Sequence, residues 1–249
     1  MDFKEIKKIW IIGASSGIGA ALAKKLAYEG KEVVVSARSE DKLTDVAKAH
    51  GNITAVRVDV TNPSSIGGAM GAIGDFDSVI MCAGTYDPET VAEFTAERFR
   101  KHFEINVLGT GNVLEPVLKY FREKGRGHIA ITASVVGYHG LPKALSYGPT
   151  KAALNNLCES LAIELRETNI SVQVINPGFV ETPLTDQNDF DMPMIIKPEK
   201  AADYIYAGLM RGWYEITFPH TFSLVLKLVS ILPKCISIPL IQKATKGKM

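Results

Sequence analysis

A doubly wound α/β sandwich, a parallel sheet with helices on both faces, is the fold class this sequence predicts, and three observations predict it. Short apolar runs alternate with longer segments of helical period, the runs are apolar at nearly every position, and glycine-rich or polar turns stand at their carboxyl ends. A strand covered on both faces needs no polar side, so continuous apolar runs point to a parallel sheet between two helix layers. With 249 residues, 46% of them hydrophobic, and no linker-like or repeated stretch, the chain reads as one domain with a sizeable core.

In order, residues 8–12, KIWII, form the first strand, and GASSGIG follows before a helix through Ala20, Ala21, Leu22, Leu26 and Ala27. EVVVS at 32–36 is the second strand, a helix occupies 40–49, and ITAVRV at 53–58 is the third strand. Asn62 and Pro63 open a helix weakened by glycines, and SVIMC at 78–82 is the fourth strand. A long helix over 95–124, a strand HIAITA at 128–133, a helix over 147–167 and a strand SVQVI at 171–175 complete the pattern. Ligands of such sheets lie at the carboxyl ends of the strands, and the chemistry-bearing motifs all fall there.

The first motif is the turn Gly13 to Gly19. Its glycines at 13, 17 and 19 allow a sharp bend and bring the backbone close to a diphosphate, while the unpaired amides of the following helix face the phosphates. The second is YGPTK, in which Tyr147 and Lys151 lie four residues apart and share one helix face. An ammonium beside a phenol favours the phenolate, so Lys151 is expected to lower the tyrosine pKa from its usual value of about 10 and make the phenol a proton donor or acceptor. Ser134 stands at the end of an apolar run thirteen residues upstream.

Other classes are disfavoured. A net charge of +1 lacks the excess of Lys and Arg that nucleic-acid binding requires. Cys82, Cys158 and Cys235 are scattered, without a C-x-x-C pair, and read as small buried hydrophobes in a reducing compartment. The five histidines lack metal-site spacing, so no metal is expected. The opening MDFKEIKK is charged, with no signal-peptide apolar core, which predicts cytoplasmic placement.

The glycine spacing G-x-x-x-G-x-G, Asn106, Ser134, YGPTK and PGFVET at Pro177 to Thr182 stand in one order that closely resembles the short-chain dehydrogenase/reductase family, over residues 8 to about 183. The resemblance implies a Rossmann-like catalytic domain over 1–220 that binds a nicotinamide dinucleotide. Its pyrophosphate would lie along Gly13, Ser15, Ser16, Gly17, Ile18 and Gly19, its adenine near Asp59 and Val60, and its nicotinamide near Ala83, Gly84, Tyr147, Lys151, Pro177, Gly178, Val180 and Thr182. The acid that the family's NAD enzymes carry after the second strand is replaced by Ala37, and Arg38 follows with a guanidinium suited to a 2′-phosphate, so NADP (NADPH) is preferred, with NAD possible. Position 16, where many NADP-dependent relatives carry a second basic residue, is serine. The usual Asn-Asn-Ala-Gly of the fourth strand is Met81, Cys82, Ala83, Gly84, which removes side-chain bonds that brace that strand.

The implied chemistry is hydride transfer between NADP(H) and a carbonyl or alcohol. Ser134 polarises the carbonyl oxygen, Tyr147 exchanges its proton, Lys151 holds the nicotinamide ribose, and Asn106 binds a water leading protons toward Lys151. Singly, each residue has an ordinary alternative as a cap, a kink, a buried amphipath or a solvated charge. The alternative function is a catalytically idle NADP-binding sensor or scaffold on the same fold. Pocket walls are expected at 85–88, 135–141 and 179–196, the last with Phe190, Met192, Met194, Ile195 and Ile196; their apolar character suggests a hydrophobic substrate. Relatives with comparable long helices form dimers and tetramers, which implies a homo-oligomer here.

The segment 221–249 is the second distinctive feature. TFSLVLKLVSIL at 221–232 has eight apolar residues of twelve, and the whole segment holds five lysines and no acid. Two readings stand: a helix covering the pocket or a subunit interface, or a basic apolar segment at the inner surface of an anionic membrane.

Overall fold

The computed structural model describes residues 1–246. Seven parallel strands form one sheet in the order β3-β2-β1-β4-β5-β6-β7. They are β1 (Lys8–Ile12), β2 (Glu32–Ser36), β3 (Ile53–Ala55), β4 (Ser78–Met81), β5 (Gly127–Thr132), β6 (Ile170–Pro177) and β7 (Glu215–Phe218). The chain runs outward from β1 to β3 and then returns to lay β4 against the other side of β1, where Ile12 pairs with Ser36 on one side and Met81 on the other. That reversal opens a crevice beyond the carboxyl ends of β1 and β4.

Strand residues feed two cores in alternation, as the two-residue period of a pleated strand requires. Ile9 and Ile11 pack on the face covered by α1 (Gly17–Tyr28), α2 (Glu40–Ala47) and α7 (Pro198–Arg211). Trp10 and Ile12 pack on the face covered by α3 (Pro63–Ile73), α5 (Gly109–Lys124) and α6 (Tyr147–Glu164). Burial of each large apolar side chain stabilises the fold by about 1.5–3 kcal/mol. The Trp10 indole N–H, the one polar atom of that side chain, donates to Ser36 Oγ at 2.9 Å.

The glycine-weakened α3 is held at its start: Asn62 accepts from the amides of Ser64 and Ser65, and Pro63 occupies the first turn. The third strand is shorter than 53–58. It ends at Ala55 on the sheet edge, where only β2 is available as a partner, although Val56 and Val58 still donate to Val35 and Ala37. The expected helix over 95–124 is two helices, α4 (Ala96–Phe103) and α5, joined by a π-helical stretch at Glu104–Leu108 that contains Asn106. The helix over 147–167 ends at Glu164. Helix α7 and strand β7 went unanticipated, and the final segment folds as α8 (His220–Ile231) and α9 (Lys234–Thr245). Of the three cysteines, Cys158 is buried and Cys82 partly so, but Cys235 is exposed on α9, contrary to its reading as a buried hydrophobe.

Candidate functional site

The turn after β1 rests on two residues in the left-handed region, Gly13 at φ 86° and Gly17 at φ 54°. Such values cost a residue with a side chain about 1–3 kcal/mol. A Cβ on Gly13 would also collide with the main chain of Cys82 and Ala83, and one on Gly17 would meet the Thr182 methyl at 2.9 Å. The Ser36 carbonyl holds the turn in place by accepting from the amides of Gly13 (2.7 Å) and Ala14 (3.1 Å). Ser16 heads α1 without a side-chain cap, so the helix's first amides remain for an anion, with the positive end of the dipole behind them.

At the end of β2, Ala37, Arg38 and Ser39 lie beside Lys42 on one wall of the crevice. Arg38 is fixed through its carbonyl, which accepts from Arg57 Nε at 3.2 Å. Asp59 Oδ1 accepts from the Thr61 amide (3.0 Å) and hydroxyl (2.8 Å), and these bonds hold its carboxyl below the usual range. Asp59 therefore caps its own turn with one oxygen while lining the cavity beside Val60.

Beyond β5, Ser134 caps a short 3-10 turn by accepting from the Val136 amide, and its hydroxyl donates to the Pro177 carbonyl at 3.3 Å. Tyr147 opens α6 and Lys151 follows one turn later, its ammonium 5.5 Å from the centre of the Tyr147 ring. Lys151 Nζ donates to the Thr132 carbonyl at 2.9 Å, which ties α6 to the end of β5. Asn106 is fully buried behind Gly84. Its Nδ2 donates to the Thr85 carbonyl and to Thr150 Oγ1, both at 3.0 Å, and its Oδ1 accepts from the Thr85 amide at 2.7 Å. Both amide protons are thus committed to protein acceptors, where the sequence had suggested a bound water. Asn106 lies within the π-helical stretch, and such bulges recur at functional sites.

Electrostatics depart from the expectation in one respect. Burial pushes the Tyr147 phenol above its ordinary value, and the Ser134 hydroxyl, which favours the phenolate, offsets only part of this. Burial also lowers the Lys151 ammonium to about 8. Desolvation, which sequence spacing does not report, is the leading cause of both shifts. Cys82, in the place of an amide, accepts from Thr132 Oγ1 at 3.5 Å, and burial raises its thiol to about 11.

One cavity of about 1420 Å³ gathers these residues. Every expected cofactor residue, from Gly13, Ser15, Ser16, Gly17, Ile18 and Gly19 through Arg38, Asp59, Val60, Ala83 and Gly84 to Pro177, Gly178, Val180 and Thr182, lines it with Ser134, Tyr147 and Lys151. The amide-lined turn, the uncapped helix start and the elongated crevice fit a nicotinamide dinucleotide. The far end is apolar and includes Tyr86, Leu141, Phe179, Phe190 and Met192. The Tyr86 ring lies 4.8 Å from that of Tyr147. Met194, Ile195 and Ile196 are absent from the wall: Met194 is 54% exposed, and Ile196 pairs back to Val180 and packs against the α1/α7 core.

Sequence reasoning missed Lys42; the helix expected over the pocket is a pair, α8 and α9, whose Phe222, Leu226, Val229 and Ile241 line the apolar end. Both helices are gripped by the body of the fold. Glu215 accepts from Tyr138, from Asn176 Nδ2 at 2.8 Å and from Lys227 on α8, while His139 Nε2 bonds Ser237 on α9 at 2.9 Å. Burial tends to raise the Glu215 carboxyl, but the bonds from Lys227, Tyr138 and Asn176 outweigh it and hold it below the usual range.

Known proteins resemble this chain in sequence and in fold. A family model described as short chain dehydrogenase matches residues 7–192. An uncharacterized oxidoreductase of Myxococcus xanthus is 33% identical over 231 residues, covering 90% of this chain and 91% of the relative. Another, from Staphylococcus epidermidis, is 34% identical over 204 residues, covering 80% and 89%. Among solved structures, an actinorhodin polyketide ketoreductase with NADPH superposes at a TM-score of 0.75 with 25% identity, covering 88% of this chain and 97% of that one. A 3-ketoacyl-(acyl-carrier-protein) reductase from Brucella melitensis complexed with NADH gives 0.77 and 25%, covering 85% and 96%. The family model, which spans residues 7–192, and these relatives show that the chain belongs to the short-chain dehydrogenase/reductase family of oxidoreductases.

Proposed function

We propose that this oxidoreductase is an NADP(H)-dependent carbonyl reductase or alcohol dehydrogenase acting on a hydrophobic substrate. The observation that carries the reading is the convergence of buried Ser134 and Lys151 and half-buried Tyr147 in one corner of the cavity, between the amide-lined turn and the apolar end. A bound nicotinamide supplies or accepts the hydride. Ser134 turns its hydroxyl from the Pro177 carbonyl to the substrate oxygen, and Tyr147 passes its proton to that oxygen as negative charge develops there. Burial keeps the phenol in the protonated form that a donor requires, at the cost of acid strength. Lys151, held by Thr132, stabilises the resulting phenolate, and the low-dielectric setting strengthens that attraction. Asn106 acts through Thr85 and Thr150, bracing the loop that follows β4 and the first turn of α6.

Arg38 and Lys42, with no carboxylate at Ala37, support selection of a 2′-phosphate. The NADPH bound by the polyketide ketoreductase agrees with that choice, while the NADH of the Brucella enzyme shows that the fold accommodates either. Exposed Leu108, between α4 and α5, and Ile163 on α6 support assembly into a homodimer or homotetramer through these helices, which light scattering measures.

The test follows NADPH and NADH absorbance with a panel of hydrophobic carbonyls, comparing wild type with Tyr147→Phe. Turnover by wild type with NADPH, lost in the variant, is the expected result. Cofactor binding without turnover in either protein favours the sensor or scaffold reading.

A further inference from the structure

Helices α8 and α9 present apolar side chains on both of their sides. Inward, Phe222, Leu226, Val229 and Ile241 line the cavity. Outward, Leu224, Leu228 and Ile231 share one face of α8, and Ile236, Ile238 and Leu240 stand around α9; these six are 45–76% exposed. Almost half of the large apolar side chains left exposed among the described residues lie on this short stretch. A patch of that density on a soluble surface marks an interaction site. Val225 and Leu240 belong to both sets, 53% and 45% exposed yet lining the cavity, so the mouth of the cavity opens within the apolar face itself.

Charge identifies the occupant. Residues 221–246 carry no carboxylate, and Lys234, Lys243 and Lys246 are exposed beside the apolar stripe, while Lys227 is engaged by Glu215. Two copies meeting through this patch about a two-fold axis would set lysines against lysines with no counter-charge of their own. An anionic bilayer offers both an apolar interior and negative headgroups. Each helix has 12 residues, about 18 Å at 1.5 Å per residue, against a hydrocarbon core of about 30 Å. No helix among the described residues is long and apolar enough to cross a membrane. The geometry that remains is a helix pair lying in the interface, held to the body by the Glu215–Lys227 and His139–Ser237 contacts.

We infer that α8 and α9 dock the protein on an anionic membrane surface and admit a bilayer-dissolved ketone, long-chain or polycyclic, directly into the cavity between them and Tyr147. The docking stands by itself; the route for a ketone rests on the reductase reading above. The outer face of the pair is the docking surface and the inner face the wall of the entry path, so a substrate passes from lipid to Tyr147 without crossing bulk water.

The experiment floats the full-length protein with phosphatidylcholine vesicles, with and without phosphatidylglycerol. Wild type is compared with Leu228→Glu/Ile231→Glu, which changes outward residues only, and with Lys234→Gln/Lys243→Gln, which leaves the apolar face intact. Wild type is expected to float with the anionic vesicles and the glutamate variant to stay in solution with its NADPH affinity unchanged. The lysine variant is expected to partition about thirtyfold more weakly, at about 1 kcal/mol per lysine. In parallel, the glutamate variant reduces a short water-soluble ketone at the wild-type rate but loses at least tenfold against a long-chain ketone carried in vesicles. Failure of wild type to float, equal flotation of the glutamate variant, or a concentration-dependent dimer that the glutamate variant dissociates without any vesicle binding would each overturn docking. Flotation with equal loss of both ketones, or of neither, overturns the entry route. Flotation with no ketone reduced by wild type leaves docking in place and removes the reductase reading instead.

Discussion

The two ends of the cavity are made of different material. The nucleotide end, around Gly13 to Gly19, is mostly main chain: two left-handed glycines, an uncapped helix start and a carbonyl at Ser36 that anchors the turn. The substrate end is mostly side chain, drawn from Tyr86, Phe190, Phe222, Leu226 and Val229 on segments far apart in sequence. Main-chain geometry tolerates few residues, whereas an apolar wall accepts many of similar volume. The first end is therefore conspicuous in sequence and the second is not, and substitutions at the two ends should separate cofactor binding from substrate binding.

The largest expected effect lies at the junction. Tyr147→Phe removes the proton donor but keeps the ring beside Tyr86, and kcat should fall by about 10²–10⁴-fold with NADPH affinity unchanged by fluorescence titration. A variant that also lost NADPH would show that the two ends are not separable there.

Gly13→Ala places a methyl against the main chain of Cys82 and Ala83 at a positive φ. Distortion costing about 1–3 kcal/mol should weaken NADPH binding by about 10–100-fold, while KM for a hydrophobic ketone, measured at saturating cofactor, stays near wild type.

The junction should also show itself in pH. With burial lowering Lys151 to about 8, its ammonium is complete below that value and is lost above it. The kcat/KM for reduction in the free enzyme should be level below pH 8 and fall by about tenfold per unit above it. A profile level to pH 10 would contradict a role for the ammonium.

The smallest effect belongs to the apolar end. Glu215→Gln keeps the shape but weakens the charge-assisted grip on Lys227, worth about 1–2 kcal/mol. KM for a hydrophobic ketone should rise about 3–10-fold by initial-rate kinetics, with KM for NADPH and kcat little changed. An equal rise for NADPH would mean that Glu215 supports the whole site rather than α8.

Much of this was legible before the structure. The strands up to β6, apart from the shortened β3, lie close to the predicted spans because a covered parallel sheet demands continuous apolar runs, and the turn and YGPTK are local patterns with local causes. Asn106 was singled out, but its partners Thr85 and Thr150 and the π-helical stretch that contains it were not. Lys42 went unnoticed since a lysine in the first turn of a helix is ordinary until Arg38 is seen beside it. Strand β7, EITF, is short and only half apolar, so it offered little signal, although Glu215 within it organises the contacts of α8.

What the sequence by itself determined is whatever depends on neighbours in the chain: strand and helix periods, the diphosphate turn, the shared face of Tyr147 and Lys151, and the cation-rich, acid-free tail. Only the tertiary structure decided that burial sets the direction in which the Tyr147 phenol shifts, that Cys235 is exposed, and that α8 and α9 line the apolar end of the cavity instead of lying apart from it. The reason is common to all three. Desolvation and side-chain packing depend on which distant segments meet, and no local spacing records that meeting.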